Sequence, residues 1–285
     1  MKEGDKMDYF DEITPQITSV DMFIKNFFFL LSPLYKKEHG NEQDATVQLF
    51  SSLHSTSESI LILLLNRAIH DADVLLRTVM EGTIKYCYLM VGTPEERHEK
   101  YIEYKKTLTD IDLMTDHQKA LEAIKVLKEF SSNSTIPFEL MILPEEKLEE
   151  LKNLYPAKKR NEIKQRWSYQ ALLRSLAKTN VEYEAQLGTL STYSQTSHLC
   201  HYDWTGLSSR QSQIMNADTE NGELADIAHA LRIMDNVLSM YLFRVAEYIR
   251  GNNFTSKDVS DLSIKAFSFL KDLSQKENEL IETIV

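Results

Sequence analysis

The chain has 285 residues, with 32 Lys and Arg against 43 Asp and Glu, 8 Gly, 6 Pro and 2 Cys. A formal charge of −11 excludes general attraction to nucleic acid or anionic membrane, and two cysteines exclude a disulfide framework. So little Gly and Pro excludes a turn-rich β fold and predicts an all-α multi-helix bundle.

Taken in chain order, the apolar spacing predicts a first helix from about Thr18 to Leu31, ending near Ser32-Pro33, and then a loop at His39-Gly40-Asn41. A second helix spans about Asp44 to Asn66 and a third about Ala68 to Val91, the two being candidates for one continuous helix. Thr93-Pro94-Glu95-Glu96 is a strong helix start, with a capping hydroxyl, proline in the first turn and acids at the positive helix end. That fourth helix runs to about Met114. Asp116 is read as the cap of a fifth, ending near Phe130 before the polar loop Ser131–Thr135.

Pro144 and Tyr155-Pro156 each open a short helix, the second carrying the basic run Lys158, Lys159, Arg160, Lys164 and Arg166 ahead of Trp167. Ser168 to Lys178 and Val181 to about Cys200 are further helices. His201 to Asn221 reads as a long irregular segment. Glu223 to Arg250 is a strong amphipathic helix closed by Gly251, and a last helix covers Ser256 to about Thr283. The expected division is a helical bundle over 1–250 and an accessory C-terminal helix over 251–285.

The most apolar runs, Phe27–Leu31 and Ile60–Leu65, fall far short of the ~20 residues of a membrane span, so no membrane partner is expected. The acidic N-terminus has no signal-peptide pattern, and with two lone cysteines it points to a reduced, cytoplasmic setting. Leu231 to Ile249 is apolar on more than one side, which together with the last helix predicts a homo-oligomer.

Two constellations carry candidate chemistry. On the third helix, His70, Asp73, Arg77 and Glu81 share one face among apolar neighbours. Buried charges need partners, so this stripe is either a structural Arg77–Glu81 tie or the wall of a site. In the second reading Arg77 holds an anion and Glu81 orients it or acts as base. The other constellation runs from Tyr193 to Trp204. Ser194, His198 and His201 align on a helix there, and an imidazole near pH 7 can move a proton. Arg77, Glu81 and His198 are therefore the catalytic candidates, and Tyr193, Ser194 and His201 the substrate-binding ones. Arg77 and Glu81 are expected to share one polar pocket with Tyr193, Ser194 and His198.

The histidine pair with Asp203 is a weak metal set, and His70-Asp71 has the His-Asp order of metal phosphohydrolases without their further ligands, so no metal is assigned. No phosphate loop or nucleophile elbow is present, and no cofactor is expected.

These same elements resemble a bacterial helical family, domain-of-unknown-function family 5677. The resemblance rests on Leu75-Leu76-Arg77-Thr78-Val79-Met80-Glu81, Tyr86-Cys87-Tyr88-Leu89, Pro94-Glu95-Glu96-Arg97 before Tyr101, Trp167, and Tyr193-Ser194 with His198. It covers about Asp44 to Trp204. Such families are similar in outline to HEPN-type proteins, many of them RNases of toxin–antitoxin and phage-defence systems. The resemblance thus implies a hydrolase acting on RNA or a nucleotide, with a non-catalytic sensor or interaction module as the alternative. The chain departs from the HEPN element of Arg, four to six residues, then His: Arg67 and His70 are too close, and no other Arg precedes a His at that distance.

Overall fold

The computed structural model describes residues 8–35, 41–130, 136–201 and 203–284, and among these the regular structure is all helix. The chain is an all-α multi-helix bundle. In chain order the helices are α1 (Tyr9–Tyr35), α2 (Asn41–Leu65), α3 (Ile69–Met90), α4 (Pro94–Ile102), α5 (Leu108–Glu129), α6 (Ile136–Glu139) and α7 (Glu145–Leu154). There follow α8 (Ala157–Arg166), α9 (Tyr169–Ala177), α10 (Val181–Glu184), α11 (Thr189–His201), α12 (Trp204–Asn216), α13 (Glu220–Gly251) and α14 (Lys257–Ile284). The expected loop residues His39-Gly40 and Ser131–Thr135, and Tyr202, lie outside the described residues. The chain forms two compact units, Met1–Val91 with Leu173–Val285, and Gly92–Leu172.

In the larger unit α13 is the central helix. Leu231, Ile233, Met234, Val237, Leu238, Met240 and Tyr241 are all fully buried, each burial being worth roughly 1.5–3 kcal/mol. α1, α3 and α14 pack along it, with α2 and α12 also in contact. The apolar circumference that suggested a second copy is thus covered by the chain's own helices. On α14, Val259, Ala266, Leu273 and Leu280 are buried at seven-residue intervals, the spacing of a helix seam. The last helix belongs to the larger unit.

α1 runs through Pro33 to Tyr35 instead of stopping there, because a proline in the last turn removes only one helical hydrogen bond. α2 and α3 are not continuous. Arg67 takes φ +55°, a conformation that costs a non-glycine residue roughly 1–2 kcal/mol. The turn is held from outside: Arg67 Nε donates to Asp226 Oδ2 at 2.8 Å and Nη1 to Glu223 Oε1 at 3.3 Å, with the guanidinium 5.1 Å over the Tyr9 ring.

Between residues 181 and 221 the helices are shorter than expected at one end and more numerous at the other. A 3-10 turn at Ala185–Gly188 breaks the helix expected from Val181 to Cys200, and the segment expected to be irregular contains α12. Asp203 starts α12 as its cap, accepting the Gly206 amide at 3.1 Å.

In the smaller unit the Thr93 start is a capping box, Thr93 Oγ1 accepting from the Glu96 amide at 3.3 Å and Glu96 Oε2 from the Thr93 amide at 2.8 Å. A π-helical turn at Glu103–Thr107 joins α4 to α5, and α5 runs on through Asp116 without the expected break. Trp167 Nε1 donates to Glu103 Oε1 at 2.5 Å. The basic run is engaged locally: Arg160 donates to the Tyr155 carbonyl, Lys164 to Thr115 and Arg166 to Glu103.

Candidate functional site

α3 divides into two polar regions. The first is a clasp around Tyr193. Arg77 Nη1 donates to the Tyr193 carbonyl at 3.1 Å and Nη2 to its hydroxyl oxygen at 3.0 Å, with the guanidinium 4.0 Å over the ring. The Tyr193 hydroxyl donates in turn to Glu81 Oε2 at 3.1 Å, and Lys85 Nζ donates to Glu81 Oε1 at 2.7 Å. Burial works to raise the Glu81 carboxyl, but the Lys85 hydrogen bond, with Tyr193 and the Arg77 charge, outweighs it and holds the group below its ordinary value. Arg77 and Glu81 are half-buried, and their hydrogen bonds are made to their neighbours.

The second region is a cavity of about 350 Å³ between α3, α11, α12 and α13, whose chemistry-bearing walls are His70, Asp73, His198, His229 and Arg232. Each of two imidazoles is held by a carboxylate. His198 Nδ1 lies 2.5 Å from Asp203 Oδ2, and His229 Nε2 lies 2.6 Å from Asp73 Oδ2. A carboxylate acceptor makes the engaged ring nitrogen the donor and leaves the opposite nitrogen of each ring available for chemistry. The His198 hydrogen bond holds the Asp203 carboxyl below its ordinary value. His70 is buried and packs edge-on to His229 with ring centres 5.9 Å apart, and neither of its ring nitrogens has a partner among the described residues. Burial, reinforced by the His229 charge, lowers its tendency to take a proton.

A wider cavity of about 670 Å³ adjoins the first, with His70, Ser209 and His229 common to both and Gln213, Asn216 and Asp226 along its far wall. Two glycines fit α12 into place. A Cβ on Gly206 would stand 2.4 Å from the His198 carbonyl oxygen, and one on Gly222 would stand 1.9 Å from that of Asn216, both backbone atoms that cannot swing aside. Among the described residues no three His, Cys, Asp or Glu side chains converge as metal ligands, and Asp71 is taken by Arg210 at 3.2 Å.

A family model described as "Family of unknown function (DUF5677)" matches residues 43–221. The chain belongs to this family. No curated protein and no solved structure matches it. In this DUF5677 chain the matched residues include α3, α11 and α12, and so the whole clasp and the His70, Asp73 and His198 walls of the cavity. His229 and Arg232 lie on α13, beyond the match.

The candidates named from sequence thus fall into three places. Arg77, Glu81 and Tyr193 meet in the clasp, and His198 lines the cavity, which Arg77 and Glu81 do not line. Ser194 and His201 are exposed and line neither cavity. Sequence reading missed His229 and Arg232. Their signal was available: Asp226, His229 and Arg232 recur every three residues with apolar Ile227, Ala228, Ala230 and Leu231 between them, the same kind of stripe that drew notice on α3.

Proposed function

We propose that this DUF5677 protein cleaves a phosphoester of a nucleotide or of RNA in the smaller cavity. His198 and His229 are the acid–base pair and Arg232 the phosphate-binding group. The observation that carries this reading is that two imidazoles, each oriented by its own carboxylate, line one cavity with an arginine. One imidazole takes the proton of the attacking hydroxyl or water, and the other returns a proton to the leaving oxygen. The guanidinium offsets charge on the non-bridging oxygens. A volume near 350 Å³ suits a ligand of nucleotide size, and the acidic surface disfavours a long polyanion, so a free nucleotide or a strand end is the first substrate to try. A defence or toxin role is the setting that the HEPN-like outline suggests.

A second reading has its own support. The clasp is closed on itself, as in a structural lock, and the cavity would then bind a nucleotide without turning it over, as a sensor module does. Self-association would have to use surface other than α13, such as exposed Phe29 on α1 or Ile264 and Phe267 on α14.

The test is turnover of nucleoside mono-, di- and triphosphates and of short RNA by the purified chain. It is accompanied by RNA integrity and growth in an expressing bacterial host. His198→Ala and His229→Ala are each expected to lower the rate by about 10²–10⁴-fold with the helical signal unchanged. Binding without turnover would establish the sensor reading, and turnover unaffected by both substitutions would end the enzyme reading as placed here.

A further inference from the structure

The core of the larger unit contains a positive charge that no described carboxylate pairs with. Arg244, on α13, is fully buried. Its Nη1 donates to Thr83 Oγ1 at 2.6 Å and its Nη2 to Ser57 Oγ at 3.4 Å, both neutral acceptors, and its Nε has no partner among the described residues. Among the described residues no carboxylate forms an ion pair with it. Glu247, the buried acid nearest in sequence, is taken by Arg250 and by the Tyr183 hydroxyl. Isolated buried charges are so unfavourable that proteins pair them or neutralise them. Desolvation lowers the guanidinium only to about 10, so it keeps its proton at neutral pH.

Three more hydrogen-bonding groups in the same place are equally unmatched. The hydroxyls of Tyr35, Tyr86 and Tyr248 are buried without a partner among the described residues. All three rings gather on Phe50, with centres 5.8, 5.7 and 5.8 Å from it, and the Arg244 guanidinium lies 5.8 Å over the same ring. A fourth tyrosine, Tyr241, stacks 4.8 Å from the guanidinium but places its hydroxyl against His54 Nδ1. The side chains that carry these four donors, one of them cationic, are thus packed around one phenyl ring, and buried donors are almost always satisfied.

We propose that this cluster is an internal binding site for a small monovalent anion of the halide class, held by the Arg244 Nε–H and the tyrosine hydroxyls. An anion answers both deficits, since it balances the charge and accepts from each O–H, whereas water answers only the second. The site lies among α1, α2, α3 and α13 and is independent of the histidine cavity, so it stands whether or not the nucleotide reading does.

Thermal unfolding of the full chain in sodium chloride, bromide and gluconate at matched ionic strength tests it, gluconate being too large for a core site. The midpoint is expected to rise with chloride and bromide and to saturate, and to stay flat in gluconate. Arg244→Met should abolish the halide increment. Tyr86→Phe and Tyr248→Phe, which delete one O–H each at nearly constant volume, should each weaken the apparent halide affinity about tenfold, the scale of one hydrogen bond to a charge. Bromide-soaked crystals should show an anomalous peak beside Arg244 Nε. Identical melting in all three salts, as a cluster of buried waters would give, overturns the proposal, and so do equal halide increments in the wild type and in the two Tyr→Phe variants. Those two variants decide the matter alone if Arg244→Met does not fold.

Discussion

The two ends of α3 carry polar side chains of similar type into opposite circumstances. Toward its C-terminus, Arg77 and Glu81 are met by Tyr193 and Lys85. Toward its N-terminus, Asp73 holds one histidine against a cavity while His70 beside it has neither ring nitrogen engaged by any described residue. Polar groups on an apolar helix must find partners: the first set finds all of them within the fold, whereas in the second Asp73 is paired with His229 and His70 faces the cavity. Satisfied groups stabilise, and unsatisfied ones beside a cavity are available to a ligand. A stripe of charged residues in a sequence cannot distinguish these outcomes, because the difference lies in what the other helices bring.

The comparison can be broken by substitutions that separate stability from activity. The largest effect is expected at the cavity's frame. Gly206→Ala places a methyl group 2.4 Å from the His198 carbonyl and must push α11 and α12 apart, at a cost of about 3 kcal/mol. Since His198 rides on the displaced backbone, nucleotide binding and turnover should fall with it, as calorimetry and a binding titration would show. A melting point and binding both unchanged would mean that α12 does not frame the site.

In the clasp, Arg77→Ala should lower unfolding stability by about 2 kcal/mol, toward the low end for hydrogen bonds to charge because solvent reaches this half-buried site. Tyr193→Phe, which removes only the bridging hydroxyl, should cost about 1 kcal/mol. Both variants should retain binding at the cavity, measured after denaturant titration confirms that they are folded. Loss of binding in Tyr193→Phe at undiminished stability would move the clasp from structural to functional.

The smallest effect sharpens the other side. The folded chain holds His70 below its ordinary value of 6.5, through burial first and then the His229 charge; Arg210 acts in the same direction, and Asp73 and Asp226 oppose it. Above 6.5 the ring is neutral in both folded and unfolded chains, and its contribution to stability is fully present. As the pH falls from 6.5 toward the lowered folded value, the unfolded chain takes up more protons, and stability is lost. His70→Gln should therefore flatten the acid side of the melting-point profile over that window. An unchanged profile would mean that His70 is not held neutral.

Much of the bundle was legible because helix signals are local. Thr93 with Pro94 and Glu96 writes its capping box in four residues, and the apolar spacing of α13 gives its burial directly. The contact of Arg77 and Glu81 with Tyr193 could be anticipated from need alone, since each segment carried what the other lacked. α12 was hidden for a physical reason. Its sequence is Ser- and Gln-rich with little apolar periodicity, and it is held by Asp203 at its start and by contacts with α11 and α13. Asp203 three residues before Gly206 is a capping pattern, but a short polar helix offers nothing else to read. His229 and Arg232 were masked by the strength of the apolar signal around them. The cavity joins residues 70 and 229 across most of the chain, and no local pattern encodes that pairing.

The larger unit is interrupted in the chain, since Gly92–Leu172 stands between its two parts. This bears on how the protein is made. During synthesis α1, α2 and α3 emerge long before α13, the helix that covers their apolar faces. At roughly 5–20 residues per second they wait on the order of ten seconds for it. Over that interval Phe27, Phe50, Leu76 and Met80 have no central partner, and the smaller unit can complete its own contacts first. The nascent chain is therefore most exposed to aggregation, and most in need of a holding chaperone, while residues 92–219 are being added.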